Sequence, residues 1–145
     1  MAGVAAWELD AAAYESDRVA PMWLGQGSPI AVDALAVAWP PVPTWVNPPY
    51  SVKGGPLGRW VDRCVEAQDR GSTVALLVPM SSSSAWFDRA LSCAELYRFR
   101  RRIAFVPPAG LDWTADGSRH DPALFVFRPG RAGAGSLSTL TIPEG

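Results

Sequence analysis

Thr44-Trp45-Val46-Asn47-Pro48-Pro49-Tyr50 is the stretch on which the fold turns. Its first three residues suit the end of a strand. Two consecutive prolines extend neither a strand ladder nor a helix, so the chain after Asn47 is forced into a rigid, extended turn. Downstream, Leu57, Trp60, Val61, Cys64 and Val65 recur at i, i+3, i+4, i+7 and i+8, the pattern of an amphipathic helix. Pro56 suits the first turn of that helix and Gly71 its C-terminal cap. Thr73-Val74-Ala75-Leu76-Leu77-Val78 is then a continuous β-prone run, as expected of a central parallel strand buried on both faces. Strand, helix and strand over residues 44–78 make a βαβ unit. The Asn47 turn falls at the carboxyl end of its first strand, where open α/β sheets bind ligands.

Composition narrows the function classes. The chain has 145 residues, 48% hydrophobic and 19% charged, which fits one globular domain with a real core. No run approaches the ~18 apolar residues of a membrane helix. Met1-Ala2-Gly3-Val4 lacks the basic start of a signal peptide, and Glu8 and Asp10 follow closely, so a cytoplasmic location is expected. The net charge of −1 means that contact with nucleic acid must come from a local patch. Cys64 and Cys93 stand apart, and His120 is the only histidine, so no metal site is expected. Cys64 lies on the apolar helix face and reads as core packing.

Working outward, Trp7-Glu8-Leu9-Asp10 reads as a short strand ending on Asp10 and running into Ala11-Ala12-Ala13. Asp10 there suits either a ligand contact or a helix N-cap. Residues 14–32 look irregular, broken by Pro21, Gly25, Gly27 and Pro29. Asp33 precedes Ala34-Leu35 and either caps a short helix or faces a ligand. Ser84 is placed to cap a helix carrying Trp86, Phe87, Ala90 and Leu91. Glu95 to Phe99, Ile103 to Val106 and Ala123 to Phe127 read as further strands. Residues 1–128 form the expected domain, and 129–145 a Gly/Ala-rich linker and tail, either loosely attached or added as an edge strand.

The turn carries a mechanism. The exocyclic amine of a nucleobase is a poor nucleophile because its lone pair is delocalised into the ring. The Asn47 side-chain oxygen and the Pro48 carbonyl can accept its two hydrogens and draw the nitrogen toward tetrahedral geometry. Tyr50 offers a face for the base, a contact worth ~1–3 kcal/mol. The prolines fix these acceptors in advance. A base inside a duplex would have to be flipped out to reach them. The structural alternative is a Pro-Pro turn whose tyrosine packs on the surface.

Several ordered segments resemble the phage-type DNA N6-adenine methyltransferases (Dam-like, class I). The family's Leu-Asp-x-Ala-Ala, Asp-Ala-Leu-x-x-x-Trp and Asn-Pro-Pro-Tyr-Ser segments look like Leu9 to Ala12, Asp33 to Leu35 with Trp39, and Asn47 to Ser51. Leu76-Leu77-Val78-Pro79 with Trp86-Phe87 resembles its Leu-x-Pro strand end and following Trp-Phe. Arg102 to Phe105 resembles its Gly-Arg-Leu-x-Phe strand, with Arg101 in place of the glycine. Ala123 to Phe127 resembles its last apolar strand. The resemblance implies an α/β, Rossmann-like methyltransferase fold of reduced size, with a parallel sheet and antiparallel C-terminal strands. It implies an adenine-specific enzyme that transfers a methyl group from S-adenosylmethionine to N6 of adenine in DNA. By the same resemblance, Asn47, Pro48, Pro49 and Tyr50 hold and activate the base. Asp10 would meet the methionine end of the cofactor and Asp33 its adenine or ribose side, while Ala11 and Leu35 would line that pocket. The Trp-x-Thr-Pro segment that usually opens the family's chains has no counterpart ahead of Trp7, which leaves a partner subunit as one way to complete the cofactor pocket.

Lys53, Arg100, Arg101 and Arg102, with Arg98, are the candidates for DNA phosphate contacts. The bland alternative is a solvated strand edge that resists aggregation. The same turn could serve N4 of cytosine, an RNA or a ribosomal protein. A chain of this fold without cofactor binding would be a DNA- or partner-binding module.

Overall fold

The structure, a computed structural model, describes residues 6–49, 57–81, 83–99, 121–130 and 136–140. In chain order the elements are β1 (Leu9–Asp10), β2 (Met22–Trp23), a 3-10 turn (Ala34–Ala36), β3 (Thr44–Val46), α1 (Leu57–Asp69), β4 (Val74–Pro79), α2 (Ala85–Cys93), β5 (Glu95–Phe99), β6 (Pro122–Phe127) and β7 (Ser136–Leu140). The strands form one sheet in the order β2-β1-β3-β4-β6-β5-β7. β1 pairs in parallel with β2 and β3, and β3 with β4. β6 is antiparallel to both of its neighbours, and β7 is parallel to β5.

The βαβ unit forms as its apolar spacing dictates. α1 turns Trp60, Val61 and Cys64 into the core, and β4 is buried through Val78. Burying a side chain of this size contributes roughly 1.5–3 kcal/mol. Burial also pushes the Cys64 thiol far up, so it stays a neutral packing group. Gly71, at φ +98°, ends the helix. Its N–H donates to the Gln68 carbonyl at 3.0 Å and the Ser72 N–H to the Ala67 carbonyl at 3.0 Å, a Schellman cap that only a left-handed residue permits.

Apolar residues lie on both faces of the sheet. One face packs Leu9, Val46, Leu76, Val78, Phe125 and Phe127 against α1, α2 and the 3-10 turn. The other gathers Ala75, Leu77, Leu124 and Val126 with Trp7, Trp45 and Tyr97. Trp7 reaches this second face through a bulge. The N–H groups of Glu8 and Leu9 both donate to the Pro43 carbonyl, at 2.9 and 3.1 Å, and the extra residue reverses the alternation. Its ring lies 6.0 Å from that of Trp45.

Two expectations need correction, and one pair of alternatives is decided. Residues 14–32 are not wholly irregular, because Met22 and Trp23 pair with β1; two residues are too few to show a period. The late strands are not all antiparallel: β6 alone runs against the rest of the described sheet. The tail takes the edge-strand alternative, since Ser136–Leu140 pairs with Glu95–Phe99. The proposed strand at residues 103–106, the Pro56 helix start, and the roles given to Tyr50, Lys53, Arg100, Arg101 and Arg102 fall outside the described residues.

Candidate active site at the carboxyl edge of the sheet

β1, β3 and β4 all end on the same edge. From β1 the chain goes to β2 on one side; from β3 it goes to β4 on the other. The strand order therefore reverses between β1 and β3. Such a switch point opens a crevice at the carboxyl ends of the two strands, because the loops leaving them diverge. The segments that leave the two strand ends here are Asp10-Ala11-Ala12 and Asn47-Pro48-Pro49.

The ladder holds these two segments together beyond the strands. The Ala11 N–H donates to the Trp45 carbonyl at 2.9 Å, and the Ala13 N–H to the Leu24 carbonyl at 3.1 Å. Asp10 is level with Trp45 and Val46 with Leu76, so the register carries Ala12 beside Asn47 and Asn47 beside Leu77. Asn47 is half-buried, Pro48 buried and Pro49 exposed. Val46 points to the helix-covered face and Trp45 to the other. By strand alternation Asn47 follows the Trp45 side.

Asp10 sits at a strand end with no helix after it, so it is not a helix N-cap. It is 3% exposed. Its Oδ2 accepts the Val19 N–H at 3.0 Å and its Oδ1 the Ala12 N–H at 3.3 Å. Burial raises its pKa, and the negative charge of Asp17 adds to this, while the two backbone hydrogen bonds pull it back down. Asp33 is exposed and caps the 3-10 turn, its Oδ1 accepting the Leu35 N–H at 2.9 Å. Leu35 and Ala11 are buried in the core. The structure thus brings Asp10, Ala11, Asn47 and Pro48 together, and sets Asp33 and Leu35 in the connection from β2 to β3.

Arg63 and Arg70, which sequence reasoning missed, hold these segments in place together with Trp39. Arg63 on α1 donates from Nη2 to the Leu35 carbonyl at 2.7 Å and from Nε at 3.3 Å. Trp39 Nε1 donates to the Ala34 carbonyl at 2.9 Å. Arg70 reaches the Trp39 carbonyl. The acceptors are all backbone carbonyls distant in sequence from the arginines, so no local spacing announces them. Arg63 carries one visible signal, Glu66 three residues on, but it points to a surface pair and not to Leu35.

Chemically, the edge offers an amide and a backbone carbonyl on a proline-stiffened turn, with the Asp10 carboxylate and small residues on the neighbouring strand end. Among the described residues no group of three or more potential metal ligands is found. No helix among them is long and apolar enough to cross a membrane. A family model described as DNA N-6-adenine-methyltransferase (Dam) matches residues 2–144. No curated protein and no solved structure matches the chain. The match spans nearly all of the sequence, and the chain therefore belongs to the DNA N-6-adenine-methyltransferase (Dam) family.

Proposed function

We propose that this protein methylates N6 of adenine in DNA, with S-adenosylmethionine as donor and the Asn47 turn as the amine-activating site. The observation that carries this reading is the position of Asn47 and Pro48 at the switch point between β1 and β3, level with Ala12. The Asn47 side-chain oxygen and the Pro48 carbonyl accept the two amine hydrogens of an extruded adenine. The nitrogen lone pair then leaves the ring plane and points out of the turn. Tyr50, next in the chain after Pro49, supplies the stacking face.

The donor set on the opposite side suits S-adenosylmethionine, which carries an ammonium, ribose hydroxyls and an adenine. The Asp33 carboxylate is exposed and gives one oxygen to its own turn, so acceptor capacity remains for hydroxyls or an amine. Ala11 and Leu35 belong to the apolar core of the helix-covered face. When bound, the cofactor would supply the electrophilic methyl group that N6 takes up in exchange for a proton. The proton that N6 sheds passes to solvent.

On this reading residues 1–128 are the catalytic unit of a small Rossmann-like methyltransferase, and β7 is an edge strand added by the tail. Lys53, Arg100, Arg101 and Arg102 follow the DNA backbone, and the enzyme works in the cytoplasm. The test is transfer of a labelled methyl group to duplex DNA, followed by mass spectrometry of the nucleosides. N6-methyladenine supports the proposal. N4-methylcytosine as sole product moves the same chemistry to another base, and label found only in RNA or protein overturns the DNA reading.

A further inference from the structure

The connection from β1 to β2 covers residues 11–21 and contains no helix. Parallel neighbours are usually joined by a longer crossover, and a helix packed on the sheet fixes its path. Here the path must be fixed otherwise. Right-handed crossovers leaving β1 and β3 in opposite directions lie on opposite faces, so this connection crosses the face away from α1. That is the face to which Trp45 and, by alternation, Asn47 point. Asp10 is level with Trp45 and points to that face too, since Leu9 and Ala11 on either side of it join the helix-covered core.

The Asp10 carboxylate binds both ends of the connection. It accepts the Ala12 N–H where the loop leaves the strand and the Val19 N–H where it returns. The loop adds its own ties: the Tyr14 N–H donates to Asp17 Oδ1 at 2.8 Å, and the Arg18 guanidinium lies 4.3 Å from the Trp23 ring centre. Residues 14–19 are nonetheless exposed, so little packing holds them. At 3% exposure, Asp10 is closed to a bulky cation but well placed to set the loop.

We infer that Asp10 is a positioning residue: its carboxylate clamps residues 12 and 19 so that the helix-free connection walls the crevice beside Asn47, and it does not itself ligate the cofactor. The inference rests on the methyl-transfer reading of this edge. It departs from the role that family resemblance gives Asp10, a direct contact with the methionine end of the cofactor.

Two variants separate the cases in the full chain. Asp10→Asn removes the charge and leaves a single acceptor oxygen. Val19→Pro removes the donor and leaves Asp10 intact. Both should raise KM for S-adenosylmethionine about tenfold, the scale of one lost hydrogen bond to a charged group, with kcat nearly unchanged. The double variant should be no worse than either single one, because both break the same clamp. Hydrogen exchange of the Ala12 amide should quicken in Asp10→Asn. A Val19→Pro protein with wild-type KM beside an impaired Asp10→Asn would overturn the inference and make Asp10 a direct ligand. Faster exchange with unchanged KM in both would also overturn it, leaving a structural role alone. Calorimetry on the wild type keeps the underlying reading separate: absence of S-adenosylmethionine binding there defeats the methyl-transfer proposal itself.

Discussion

The two edges of the sheet use their polar groups differently. At the amino edge they join elements to one another. Gln68 at the end of α1 donates from Nε2 to the Cys93 carbonyl at 2.8 Å and to the Arg128 carbonyl at 2.9 Å, tying α1 to the ends of α2 and β6. Glu95 accepts from Arg128 Nε at 3.0 Å and from the Tyr97 hydroxyl at 2.9 Å. At the carboxyl edge, Asp10 binds the backbone of its own loop, and Ser81 and Ser84 pair hydroxyl to hydroxyl at 2.5 Å within one turn. One edge is braced and the other is shaped. A braced edge lets the opposite loops be chosen for chemistry, because they need not hold the sheet together.

Substitutions at the two edges should therefore separate activity from stability. The largest effect is expected from Asn47→Ala, which removes one of two pre-set acceptors. Methyl transfer should fall about 10²–10³-fold, on the scale of losing one pre-organised hydrogen-bonding group. Thermal melts should place its stability within about 1 kcal/mol of wild type. A collapse of stability in that variant would break the contrast between the edges.

Gln68→Ala is the opposite case. It removes the partner of two carbonyls on half-buried residues, and denaturant titration should register a loss of roughly 1–3 kcal/mol. Turnover per folded molecule should not change.

The glycines sharpen the comparison. At Gly25, φ is +142° and a Cβ would clash with the Ala13 carbonyl oxygen, so Gly25→Ala must shift Ala13 or its own backbone. At Gly71, φ is +98° and a Cβ would meet nothing within 4 Å, so Gly71→Ala bears backbone strain alone, roughly 1–2 kcal/mol. Melts and assays together should show Gly25→Ala losing stability and activity, and Gly71→Ala losing stability only.

The smallest effect is a pH dependence. Burial raises Asp10 above the ordinary carboxylate value, with Asp17 adding to the shift. As pH rises, the unfolded chain ionises Asp10 first and the folded chain later. The group thus favours folding at acid pH, and this contribution is lost as pH climbs from the ordinary aspartate value through the raised folded one. Melts of wild type and Asp10→Asn across that window should shift in favour of wild type as pH falls.

The sequence makes one half of this arrangement visible. The helix period from Leu57 to Val65, the apolar run of β4 and the Gly71 stop are local signals, and each appears where the spacing puts it. The Asn47 turn is legible for the same reason, since a double proline constrains its own backbone. β2 leaves no pattern in two residues, and its pairing depends on the Asp10 and Glu8 carbonyls. Neither the Gln68 brace nor the Arg63 contact to Leu35 is legible, because the partners are backbone groups brought near only by the fold. Asp10 was visible as a residue but not in what it holds, since Val19 lies nine positions away across a loop without periodicity.

The most direct test is nucleoside mass spectrometry of adenine-containing duplex DNA after incubation with S-adenosylmethionine and either wild type or Asn47→Ala, with both proteins melted in parallel. The account predicts N6-methyladenine from the wild type, essentially none from Asn47→Ala, and closely similar melting curves. Equal N6-methyladenine from both proteins would contradict it.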